Sequence, residues 1–140
     1  MTARSDQVPT AEMLQDELRD LLSLAVAGDH VRWVLVDDGA AELADWLAEA
    51  VPQWREVADR VAKHLATLGV APDGRLRSLA TDIPVHWVPD GWLHADEARR
   101  LVADRLASLA EWAGYRRSQA TDPEIAQLLD AVSSSLERSP

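Results

Sequence analysis

Apolar residues recur along this chain at three- and four-residue spacing in four separate runs, the pattern of helices that bury one face. In the first run Leu14, Leu18, Leu21, Ala25 and Gly28 form one stripe, widened by Leu22, Val26 and Trp33. It predicts a helix from Thr10, whose hydroxyl suits an N-cap, to about Val36. Glu12, Asp16 and Glu17 then favour the positive N-terminal end of that helix. Asp37-Asp38-Gly39 reads as a turn in which either aspartate could cap the next helix. The second run is the steadiest. Leu43, Leu47, Ala50, Trp54, Val57, Val61, Leu65 and Leu68 stay in phase until Gly69, a C-terminal stop. Pro52 interrupts the run without shifting its phase. A lost hydrogen bond and a ring clash, worth roughly 3 kcal/mol, predict a kink there and not two helices.

Between Val70 and Leu93 the character changes. Pro72-Asp73-Gly74 is a turn, Arg75 to Thr81 suits a short helix, and Pro84, Pro89 and Gly91 exclude a long one. A third long helix is predicted from His94 to about Ser118, with Leu101, Leu106, Leu109 and Ala113 on its buried face. Asp96 and Glu97 stand at its start, Arg116 and Arg117 at its end, as the helix dipole prefers. Thr121-Asp122-Pro123-Glu124 has the form of a capping box with proline in the first turn. Ile125, Leu128, Leu129, Val132 and Leu136 then mark a short fourth helix. No strand pattern competes. The reading is all-α: a four-helix bundle with a short helix in the long crossover between helices 2 and 3. Residues 1–9 are expected as a flexible N-terminal tail and residues 10–140 as one bundle with one core.

Composition narrows the chemistry. The net charge of -10, with Lys63 as the only lysine, gives little to neutralise phosphates, so DNA binding is not expected. No cysteine is present, which removes disulfides, thiolate metal sites and thiol nucleophiles. The longest apolar stretch, near Leu21 to Ala27, is too short to cross a bilayer, and no signal peptide is seen. A cytoplasmic location is expected. Six tryptophans stand against no phenylalanine. Trp46, Trp54 and Trp112 are assigned to core packing. For Trp33 and the segment Val85-His86-Trp87-Val88-Pro89-Asp90-Gly91-Trp92, subunit contact is given equal weight.

Trp33 near the end of the first helix, the second helix through Asp59, the exit Leu68-Gly69-Val70-Ala71-Pro72-Asp73-Gly74-Arg75 and the proline-rich crossover occur together in one order. From about Leu14 to Leu136 the chain resembles the Dps family of ferritin-like mini-shells. The resemblance implies a ferritin-like four-helix bundle and a dimer-based homo-oligomer, a hollow shell of twelve subunits in the family. It also implies iron(II) oxidation by peroxide or oxygen, at a site where two histidines of one subunit face two carboxylates of a neighbour.

At the four corresponding positions this chain carries Arg32, Ala44, Asp59 and Lys63. Such a site requires neutral imidazoles and anionic oxygens. Arginine has no lone pair to give, alanine has no donor, and a lysine is cationic. Only Asp59 can still coordinate metal, so the ferroxidase centre reads as degenerate. No cofactor is expected there, with iron left open as a cargo. In its place an interface salt bridge is expected between Arg32 of one subunit and Asp59 of its neighbour, beside Trp33. The expected role is a structural shell of the iron-storage and stress-protection class, or co-assembly with an active relative. Two alternatives are carried. One is an active ferroxidase with ligands relocated around Asp59, His30 or His64, although neighbours such as Asp29 and His30 point about 100° apart on a helix. The other is a non-iron ligand- or protein-binding bundle using Trp33 and the Trp87 to Trp92 loop.

Overall fold

A computed structural model of the chain describes residues 3–82 and 87–140, with side chains described for 10–80 and 87–140. The elements run α1 (Ala3–Val34), β1 (Leu35–Val36), α2 (Ala40–Thr67), α3 (Leu76–Asp82), β2 (Leu93–His94), α4 (Ala95–Gln119) and α5 (Pro123–Leu136). α1 packs along α2 and α4 along α5, and the two pairs close on each other through α2 with α5 and α1 with α4. The short α3 rests on α1 within the connection from α2 to α4. This is the four-helix bundle with a helix in its crossover.

Several boundaries differ from the sequence reading. α1 begins at Ala3, so Thr10 lies inside the helix and residues 3–9 have helical backbone. α1 ends at Val34 because Leu35 and Val36 are extended and pair in parallel with Leu93 and His94. A two-residue strand is too short to leave a period in the sequence. α2 starts from Gly39, in the left-handed conformation at φ 88°, with no side-chain cap from either aspartate. Asp37 serves α4 instead, its carboxylate accepting from the Ala95 amide at 3.2 Å and meeting His94 Nδ1 at 2.5 Å. At α5 the cap is Asp122, which accepts from the Glu124 amide, and not Thr121. α2 continues through Pro52 as one helix. Pro84, Val85 and His86 lie outside the described residues.

The amide and ring contacts of Asp37 hold its carboxyl below the ordinary value, the Ala95 amide being the larger cause. A lowered carboxyl stabilises the fold above its unfolded pKa and ceases to do so as pH falls through the folded one. Asp37→Asn is therefore expected to lower the melting temperature at pH 7, with the difference from the parent shrinking below about pH 4, the ordinary carboxylate range. A pH series of thermal melts checks this.

The core is aliphatic around one large ring. Leu14, Leu21, Leu24, Leu43, Leu47, Leu65, Leu109 and Leu129 are buried together with Trp54. Trp54 Nε1 donates to the Ser135 carbonyl at 3.2 Å, tying α2 to α5. Its ring meets Trp46 edge to face at 6.1 Å. Gly28 lets α1 approach this ring: a Cβ there would lie 2.8 Å from Val51 Cγ2 and 3.0 Å from Trp54 Cζ3. Trp54→Ala is expected to lose about 3–5 kcal/mol of stability in urea unfolding, the range for emptying a buried aromatic site. Trp112 does not share this role, being 53% exposed. Val26 and Trp33, assigned to the α1 stripe, are also exposed, and Leu24 and Val31 are the buried residues in their place.

Candidate functional site

The end of α1, the beginning of α2 and the middle of α2 hold the four positions that the sequence singled out. Arg32, in the last turn of α1, donates from Nε to Asp29 Oδ1 at 3.0 Å. Arg55 of α2 donates to the other Asp29 oxygen at 3.1 Å. One carboxylate thus joins two guanidiniums from adjacent helices, on a partly exposed surface. The Arg32 guanidinium also lies 5.5 Å from the centre of the Trp33 ring, a cation–π distance. Trp33 itself is 64% exposed. Ala44, half-buried near the start of α2, brings no donor.

Further along α2, Lys63 Nζ meets Asp59 Oδ2 at 2.8 Å across one helical turn, with both side chains exposed. The hydrogen bond to Asp59 raises the Lys63 amine above its ordinary value, so it stays charged at neutral pH. The Asp59 carboxylate thus faces a cation within its own chain.

Arg32 and Asp59 do not meet within one chain. Gly28 of α1 abuts Val51 of α2. From that crossing point Arg32 lies four residues one way and Asp59 eight residues the other, a separation of roughly 18 Å at 1.5 Å per residue. Among the described residues no group of three or more His, Asp or Glu side chains converges as a metal site. His30 is exposed and lines a groove of about 350 Å³ with Val26, Leu76, Leu79, Trp87 and Val88. His64 lies on a different face, beside Arg60 and Glu124. The donor set therefore does not fit an iron site within the chain: two of the four positions carry cations and a third carries no heteroatom.

Val26, His30 and Trp33 are spaced i, i+4 and i+7 on α1 and are all exposed. Leu76 of α3, 77% exposed, borders the same groove. Val26, Trp33 and Leu76 thus leave large apolar side chains exposed on this side of the bundle.

The sequence reading missed a buried ion pair between α1 and α4. Glu17 is fully buried. Its Oε2 accepts from Arg116 Nη1 at 2.6 Å, and the same nitrogen donates to Asp20 Oδ2 at 2.7 Å. The signal was available: Glu17 stands three residues after Leu14 and four before Leu21, inside the apolar stripe of α1. An acid there requires a buried cation, and Arg116 on α4 supplies it. Gln15 was also missed. Its amide donates to the Asp73 carbonyl at 2.6 Å and accepts from the Asp73 amide at 2.8 Å, pinning the exit from α2 onto α1.

Comparison with known proteins agrees with this architecture. The family model for the ferritin-like domain matches residues 11–138. The chain belongs to the ferritin-like family. Its fold is that of the Dps proteins. It resembles Dps92 from Deinococcus radiodurans with a TM-score of 0.88 at 22% identity, covering 95% of this chain and 82% of that one. Dps from Mycobacterium smegmatis superposes with a TM-score of 0.89 at 21% identity over 95% of this chain and 82% of that one. A Dps protein from Bacillus brevis gives 0.85 at 20% identity over 95% and 91%. In sequence, the fine tangled pili major subunit of Haemophilus ducreyi is 38% identical over 64 residues, 46% of this chain. The matched region spans about a third, 34%, of that relative's length.

Proposed function

We propose that the chain is a Dps-type shell subunit of the iron-storage and stress-protection class whose own ferroxidase centre is lost. Its role is structural, alone or co-assembled with an active relative. The observation that carries this reading is the chemistry at the four positions. Arg32 is committed to Asp29, Ala44 has no donor, and Lys63 neutralises Asp59. Iron is then a cargo attracted by the acidic surface of a chain with net charge -10 and not a substrate held for oxidation at this site.

Arg32 uses Nε for Asp29, which leaves its terminal nitrogens to donate to Asp59 of the partner subunit. Lys63 would support that carboxylate from its own chain. The exposed Val26, Trp33 and Leu76 supply apolar area for the same contact. Light scattering coupled to size exclusion tests assembly. The reading predicts a homo-oligomer, with twelve times the 15.4 kDa chain mass for the full shell. A monomer at micromolar concentration would refute it.

A further inference from the structure

A second groove, of about 400 Å³, lies between the N-terminal half of α1 and the C-terminal half of α4, away from the positions above. Trp112 and Tyr115 line it and meet edge to face, with centroids 6.2 Å apart and planes at 88°. Both rings are more than half exposed, 53% and 59%. Glu12, Met13, Asp16 and Arg116 line it as well.

Among the described residues that line the groove, the acids Glu12 and Asp16 outnumber the one cation, Arg116. Arg116 stands 5.6 Å from the Trp112 ring, yet it donates to both Glu17 and Asp20, so two carboxylates face one guanidinium. Asp16 is paired with Arg19. Glu12 makes no hydrogen bond or ion pair with any described residue.

We propose that this groove binds an organic cation, held against the Trp112 and Tyr115 rings with its charge answered by Glu12. The exposed ring face left free by the edge-to-face pair and by Arg116 offers a cation a negative surface. A neutral aromatic ligand would gain nothing from the carboxylates, and an anion would be repelled by them. A small metal cation would prefer oxygen ligands and keep its water, leaving the rings unused. A quaternary ammonium and a polyamine share the required chemistry.

The test is calorimetric titration of the assembled protein with tetramethylammonium chloride and, separately, spermidine, against sodium chloride at matched ionic strength. Saturable binding at one site per chain is expected for an organic cation and not for sodium. The probe that binds more tightly identifies the class. Trp112→Leu should weaken binding about tenfold, while Trp112→Phe, which keeps a ring, retains most of it. Glu12→Gln should weaken it about threefold through the lost charge. An equal response to sodium, or unchanged binding in Trp112→Leu, would overturn the proposal. So would shielding of Trp112 from acrylamide in the assembled protein, seen as identical quenching of the parent and Trp112→Leu, because a second copy would then occupy the groove.

Discussion

Arg116→Met is expected to lower the unfolding free energy by about 3–5 kcal/mol, the loss typical of leaving one partner of a buried ion pair without the other. The guanidinium is 11% exposed and the Glu17 side chain 1%, so water cannot replace it readily. Asp20, at 18%, is nearer the surface and is expected to rehydrate more easily. Replacing both residues, Glu17→Leu with Arg116→Met, should recover most of the loss, because two apolar side chains of similar bulk need no compensation. Urea unfolding of the two single variants and the double variant measures this coupling directly. The pH dependence adds a check. Burial pushes the Glu17 carboxyl above its ordinary value of 4.5, against the opposing pull of Arg116. A raised carboxyl stabilises the fold below its unfolded pKa, and that contribution is lost as pH rises through the folded one. The stability of the parent relative to Glu17→Gln should therefore fall as pH is raised from 4.5. A rise over the same range would show that the pull of Arg116 exceeds the effect of burial.

Arg32→His, Ala44→His and Lys63→Glu together are expected to confer iron(II) oxidation on the assembled protein. Each change exchanges a residue without metal affinity for an imidazole or a carboxylate, and Asp59 is already in place. The gain in initial rate should be at least about tenfold, since first-shell donors matter no less than the outer-shell partners whose loss reduces affinity 10- to 100-fold. Releasing Asp59 from Lys63 is as important as adding donors, because a carboxylate that neutralises an ammonium has less charge to offer a metal. The partial variant Arg32→His with Ala44→His, which keeps Lys63, should show little gain. Stopped-flow absorbance of iron(II) oxidation distinguishes the two variants. A triple variant that assembles and remains at the parent rate would argue that the four positions do not meet across subunits.

The bundle was legible because its helices announce themselves. The in-phase stripe from Leu43 to Leu68 and the stop at Gly69 place α2 to within a few residues. The proline- and glycine-bearing crossover separates the helix pairs just as plainly. What the period could not show is which neighbour a polar residue chooses. Asp37 reads as a local cap, yet it serves a helix 58 residues further on, through the Ala95 amide. Glu17 and Arg116 look like ordinary dipole partners at two helix ends until the bundle brings them together across 99 residues. Trp112 has the helical phase of a core residue but faces a groove, because α4 leaves its C-terminal turns partly uncovered. The proposed loss of the metal site rests on residue chemistry alone, since Arg32 and Lys63 are cations and Ala44 has no donor. The bridging of Arg32 and Arg55 by Asp29 was not legible in the sequence, because the Arg55 contact depends on how closely α1 and α2 approach at Gly28.

The most direct test of the central claim is anaerobic iron(II) titration of the purified, metal-free, assembled protein by calorimetry, followed by exposure to peroxide, with Asp59→Ala as control. The lost-centre reading predicts weak iron binding, no acceleration of oxidation over buffer, and no difference between the parent and Asp59→Ala. Tight stoichiometric binding with fast oxidation, abolished in Asp59→Ala, would contradict it and assign Asp59 to a working iron site.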